Sequence, residues 1–117
     1  MAFLLLITER PDTRDQPLGV VRDRYDRMMR FSAALRERGV LTASESLRLP
    51  EDDGARVEIR AGKRIVVDGP FAEAKEIVGG FLLLTSHTKA EALAIAGECP
   101  AAEWATVEVR KIGPCTP

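Results

Sequence analysis

Two stretches of the chain are apolar at every position, Phe3-Leu4-Leu5-Leu6-Ile7 and Phe81-Leu82-Leu83-Leu84. Short oily runs of this kind suit sheet strands covered on both faces. They predict strands over 2–8 and 80–85. Between 9 and 19, the residues Pro11, Asp12, Asp15, Pro17 and Gly19 predict a loop. Val21, Tyr25, Met28, Ser32 and Leu35 then recur at alternating steps of four and three. That spacing predicts a helix over 20–38 with one buried stripe, and Gly39 stands where a left-handed terminal residue belongs. Asp23 before Arg27 and Asp26 before Arg30 form acid-before-base pairs on its wet side. With those aspartates interleaved, the run Arg22, Arg24, Arg27, Arg30 reads as a solvated face rather than an anion site.

A strand over 40–49 ends at Pro50, and Glu51-Asp52-Asp53-Gly54 forms a turn. Val57 and Ile59 alternate with Glu58 and Arg60, and Ala61-Gly62-Lys63 reverses the chain into 64–67, which predicts a hairpin. Pro70 to Glu76 suits a short helical turn, since proline is tolerated there. Thr88 and Glu91 have capping-box spacing and open a second helix to about Glu98. Residues 104–112 alternate as a last strand. The order is β-α-β, an inserted hairpin, then β-α-β. Two helices on one face of an antiparallel sheet make a ferredoxin-like α+β fold. One domain over 1–112 is expected, with 113–117 as a short C-terminal tail.

The same pattern bears on assembly. The sheet face without helices should be polar in a monomer, yet the two oily strands carry apolar side chains on both faces. Leaving such side chains wet forgoes roughly 1.5–3 kcal/mol each. The expected cover is a second copy, sheet against sheet, in a C2 homodimer. The alternative is that the inserted segment 51–76 folds back over that face.

Composition narrows the classes. Lys plus Arg total 17 and Asp plus Glu total 18, a net charge of −1. A chain so balanced lacks the basic excess that binding phosphate backbones demands, so no direct nucleic-acid partner is expected. The start has no basic region and reaches Glu9-Arg10 too soon for a signal peptide. No apolar run approaches the ~20 residues of a membrane span. Cys99 and Cys115 make a poor disulfide framework, and the cytoplasm is the default compartment. His87, the single histidine, lies in a turn, and no Cys-x-x-Cys spacing exists, so neither metal nor cofactor is expected. Gly79-Gly80 lacks the Lys-Ser/Thr of a phosphate loop and better suits a bulge or close backbone approach.

Ionisable groups crowd the stretch Asp68-Gly69-Pro70-Phe71-Ala72-Glu73-Ala74-Lys75-Glu76. Asp68 suits either a turn, accepting a backbone hydrogen bond while Phe71 plugs the core, or a carboxylate presented to a pocket. If 70–76 is helical, Glu73 and Glu76 share a face. They form either an exposed salt-bridged turn or an acid/base group with a raised pKa. Glu45, within Ser44-Glu45-Ser46, points to a shared cavity or to water.

With these residues assembled, the chain resembles the YCII-related proteins, in particular the subgroup named for its Asp-Gly-Pro-Phe motif. The resemblance runs from about Leu41 to Ile112. It takes in Ser44-Glu45-Ser46-Leu47 (Gly-Glu-Gly-Leu in the family), Val67 to Glu76 and Gly79-Gly80-Phe81. It continues through Ala90-Glu91-Ala92-Leu93, Cys99-Pro100 and Val107-Glu108-Val109-Arg110. It implies a dimeric α+β barrel of ferredoxin-like subunits. Shorter relatives carry a histidine on the first helix, proposed as half of a His-Asp catalytic pair; the comparable position here is Tyr25. Similar proteins are often encoded near extracytoplasmic-function sigma factors, which implies a regulatory association. Two functions follow as expectations. One is a cofactor-independent acid/base enzyme on a small organic acid or carbonyl compound. Its proton carrier would be Asp68, Glu76 or Glu45, with Lys75, Arg110, Tyr25 and Phe71 holding the substrate. The other is a non-catalytic ligand-binding or sigma-factor-associated module.

Overall fold

The structure, a computed structural model, describes residues 2–115. Six strands and two helices follow in the order β1 (Phe3–Glu9), α1 (Leu18–Glu37), β2 (Leu41–Ser46), β3 (Ala55–Arg60), β4 (Lys63–Asp68), β5 (Ile77–Leu84), α2 (Lys89–Glu98) and β6 (Thr106–Lys111). A single-turn 3₁₀ helix, Pro100–Glu103, precedes β6. The main sheet is antiparallel with order β2-β5-β1-β6, the ferredoxin-like arrangement, and β3-β4 form a separate ribbon. The two oily strands are indeed the central pair: Leu5 lies opposite Leu82 and Phe3 opposite Leu84.

The core sits between this sheet and the helices. Phe3, Leu5, Leu82 and Leu84 from the sheet meet Leu35 of α1 and Ala92, Ile95 and Ala96 of α2. Thr88 caps α2 as its spacing predicts, its Oγ1 accepting from the Glu91 N–H at 3.1 Å. Glu91 reaches back to the N–H of His87, one residue before the cap, at 3.2 Å. Gly39 takes φ +72° and closes α1.

Several elements differ from the sequence expectation: β1 runs on to Glu9, β2 closes at Ser46 rather than at residue 49, and β6 is confined to Thr106–Lys111. α1 opens at Leu18, because Pro17 fits the position just before the first turn and costs no needed donor. β5 opens at Ile77 and runs through both glycines. Residues 70–76 form no helix; a turn from Phe71 to Ala74 stands there, so Glu73 and Glu76 are not brought onto one helical face. Phe71 is not a core plug either. It is half-buried, with the Arg56 guanidinium 3.8 Å over its ring and Arg56 reaching on to Glu73 at 2.5 Å.

On the second sheet face the register aligns Leu4 with Leu83 and Leu6 with Phe81. The inserted hairpin does not cover them. Every residue of β3 and β4 except Ile65 is exposed, Val57 at 63% and Ile59 at 67% among them. The ribbon stands out as an arm. The radius of gyration, 16.1 Å, accordingly exceeds the roughly 13 Å of a compact chain of this length. Ala61 and Gly62 both take positive φ, +49° and +77°, as its tight two-residue turn requires.

The Asp-Gly-Pro-Phe stretch forms the root of this arm. The Gly69 N–H donates to the Gly54 carbonyl at 2.9 Å. A Cβ on Gly69 would lie 2.1 Å from the Pro50 carbonyl oxygen, so only glycine lets the strand end pass that loop. The Asp68 side chain makes no hydrogen bond among the described residues, so backbone contact rather than its carboxylate holds the turn.

Candidate functional site

A groove of about 690 Å³ lies between α1 and the helix-side face of the sheet. It exists because small residues face each other where large ones would close the gap: Ser32 on α1, Ser44 and Ser46 on β2, and Gly79 and Gly80 on β5. The expected buried stripe of α1 therefore divides. Leu35 and Ser32 pack inward, whereas Tyr25 is 58% exposed and joins Val21, Met28 and Met29 in the groove wall.

Glu9 lies at the inner end of the groove and is only 6% exposed. Its position follows from alternation: Phe3, Leu5, Ile7 and Glu9 share one face of β1. Gly79 is the extra residue of a bulge, since Ile7 pairs with Gly80 but Thr8 with Val78. The bulge restores helix-side burial to Ile77, the partner of Glu9. A Cβ at Gly79 would meet Glu9 Oε1 at 2.9 Å and Arg14 Nη2 at 3.1 Å. The missing side chain thus leaves the space that the Glu9 and Arg14 head groups occupy.

Arg14 Nε lies 2.7 Å from Glu9 Oε1, and its Nη2 donates to the Gly79 carbonyl at 3.3 Å. The charges are paired, but the Nε–H is not directed at the oxygen, and Oε1 accepts no hydrogen bond among the described residues. Glu9 Oε1 is thus a buried carboxylate oxygen with a cation beside it and no hydrogen-bond donor upon it among the described residues.

Arg24 crosses from α1 to the same end. Its Nη1 donates to the Thr13 carbonyl at 2.9 Å, and its guanidinium sits 5.0 Å from the Trp104 ring centre. Arg27 also stacks on Trp104, at 5.4 Å, and forks onto both oxygens of Glu103. That fork raises the Arg27 pKa and holds the Glu103 carboxyl below its ordinary value. The arginine run is therefore no uniform solvated face: Arg22 and Arg30 are exposed, while Arg24 and Arg27 reach across to the tryptophan. The expected pairing of Arg27 with Asp23 gives way to a tertiary partner.

A second, more polar cavity, also about 690 Å³, meets the groove at Glu9, Arg24 and Trp104. Glu76 lies in its wall with Asp12 and Asp15.

The residues that sequence singles out scatter about this geometry. Tyr25 stands in the groove wall, and Glu45 borders it from the edge strand β2, with alternation turning its side chain to the second sheet face beside Phe81. Glu76 lines the second cavity. Asp68 lies at the arm root, paired with Ala55, and Phe71 lies beneath Arg56. Arg110, on β6, pairs with Glu108 at 3.0 Å in exposed surroundings. Lys75 is exposed and lines neither cavity. Glu9, Arg14 and Trp104 have no site role in the sequence reading, and Arg24 is there part of a solvated helix face. A usable signal existed for Glu9, a carboxylate continuing the odd-numbered apolar face of β1, but a strand ended at Thr8 hides it.

Over residues 1–116 the sequence matches the model of the YCII-related domain. The chain belongs to the YCII-related domain family. No curated protein matches it. In this YCII-related domain, no cluster of His, Cys, Asp and Glu among the described residues is arranged to hold a metal ion. Nor is any described helix long and apolar enough to cross a membrane. Cys99 is buried and Cys115 exposed, both as free thiols.

Proposed function

We infer that this YCII-related protein takes a small organic acid or carbonyl compound into the groove and moves a proton there without a cofactor. The observation that carries this reading is Glu9: nearly wholly buried, beside Arg14, with Oε1 accepting no hydrogen bond among the described residues. In the reaction, Glu9 takes a proton from the carbon next to a carbonyl. The electron pair left behind moves into the carbon–carbon bond and on to the carbonyl oxygen. Arg24, held by the Thr13 carbonyl and the Trp104 ring, would stabilise that oxyanion. Return of the proton from Glu9 to either carbon or oxygen completes the transfer and regenerates the carboxylate. The bare second sheet face and the projecting arm favour a C2 homodimer as the working form, with the Asp-Gly-Pro-Phe segment marking the subgroup.

Proton NMR in heavy water tests the chemistry with pyruvate as the first probe of a panel of 2-oxo acids. The protein should speed exchange of the carbon-bound protons, and Glu9→Gln should lower the rate by 10²-fold or more, the usual scale of general-base loss. The variant's thermal midpoint shows whether it remains folded. Saturable binding across the panel without any exchange would refute catalysis and leave a ligand-binding module, for which a sigma-factor partner would be sought by pull-down.

A further inference from the structure

Four arginines line the groove: Arg14, Arg24, Arg36 and Arg48. Two of them have their charge met within the chain, Arg14 by Glu9 and Arg48 by Asp52 at 2.5 Å. Arg24 and Arg36 have no carboxylate partner among the described residues. Both are nonetheless tethered by neutral groups that leave the positive charge unspent. Arg24 is held by the Thr13 carbonyl and the Trp104 ring, and Arg36 Nη2 reaches Ser44 Oγ on β2 at 3.4 Å. They stand at opposite ends of the groove. Twelve residues apart on one helix, their backbones are separated by about 18 Å along its axis.

The wall between them is of another character. Tyr25, Met28 and Met29 from α1 face Ile7 and Leu82 from the sheet, with Ser32 as the polar interruption. Methionine side chains are flexible and polarisable and adapt to apolar ligands of varied outline. A cation at each end of an apolar trough describes its own ligand. Arg36 is exposed and water can solvate its charge, but an anion at one end gives only one guanidinium an ionic partner, whereas a dianion gives both.

On these grounds we propose that the groove selects an elongated organic acid with an anionic group at each end and an apolar body between. Arg24 and Arg36 receive the two anions. The proposal rests on the groove being the ligand site and goes beyond it by naming the ligand's class. Arg24 is at the Glu9 end, so the acid group bound there belongs to the reacting end of the ligand; Arg36 anchors the far end and sets length.

Calorimetric titration with two series tests it: the diacids succinate, adipate, suberate and sebacate, and the monoacids butyrate, hexanoate and octanoate. The longer diacids should bind about tenfold or more tighter than the monoacid of equal length, the scale of one added charge-assisted hydrogen bond. Arg36→Gln should erase that ratio. Arg36→Glu should go further and turn the preference toward an ω-amino acid of the same length, a gain that an unfolded variant could not show. Equal affinity for diacid and monoacid, or an unchanged ratio in Arg36→Gln, would overturn the proposal while leaving the groove as an acid-binding site. Failure of every acid in both series to bind the wild type would overturn the site reading along with it.

Discussion

Two glycines that look interchangeable on paper are held to their identity by different neighbours. At Gly69 an added methyl group would strike the Pro50 backbone at 2.1 Å, and backbone at the root of a hairpin has nowhere to go. At Gly79 it would strike the end of the Glu9 side chain at 2.9 Å, which can swing aside. Gly69→Ala should therefore destabilise the fold by about 1–3 kcal/mol, as overpacking does, with urea unfolding as the measurement. Gly79→Ala should cost less stability but displace Glu9 and Arg14. It should depress proton exchange and ligand binding more than it moves the urea midpoint. If the two variants lose stability equally with ligand binding intact at Gly79→Ala, the link between the bulge and the site is wrong. The same comparison bears on the ionisable crowd from Asp68 to Glu76, which the fold spreads out: Asp68 lies at the arm root, where Gly69 serves a backbone contact, and Glu76 lines the second cavity.

At the scale of elements, α1 is held to the sheet chiefly at its C-terminal half, through Leu35, and to the 3₁₀ helix at its N-terminal half, through Arg27 and Glu103. The second tie depends on a charged carboxylate. Arg27 lowers the folded-state pKa of Glu103 from its ordinary 4.5. A depressed carboxyl stabilises the fold above the unfolded-state value, and that contribution is lost as pH falls through the folded-state one. Glu73 is lowered likewise, first by its own backbone N–H and then by Arg56, and adds to the same acid limb. Stability against urea should thus decline as pH drops below about 4.5. Glu103→Gln should lie below the wild type at neutral pH and converge with it in acid. Parallel curves at all pH values would contradict the assigned role. The tie matters for the site because Trp104, on which Arg24 rests, follows directly after that helix.

At the scale of the whole molecule, the chain is a slab of 47 × 45 × 19 Å with its groove on the helix side and an oily sheet face opposite. Leu4, Leu6, Phe81 and Leu83 are only half-buried there, and the arm that could have covered them extends away. A second copy laid face to face would remove these side chains and Val78 from water. Sedimentation at micromolar concentration should give the mass of two chains of 12.8 kDa, and Leu6→Asp should shift it to one. A wild-type mass near one chain would remove the dimer from the account. Ligand binding need not fall with it, since the groove is built within a single chain.

Much of this architecture was written in the linear pattern. Uniform oily runs marked the central strands, a four-and-three stripe marked α1, capping-box spacing marked α2, and alternation marked the hairpin and β6. These signals are local: each arises from a side-chain period and a terminal residue only a few positions away. The groove is not local. It depends on Ser32, Ser44 and the two glycines coming face to face from three elements, and on a single-residue bulge that seats Glu9 beside Arg14. Whether an arginine meets water, a carboxylate or a tryptophan is set by partners far along the chain, Glu103 and Trp104 for the helix at 18–37. Periodicity carries no record of such distances, so only the folded chain could decide where its charge is left unspent.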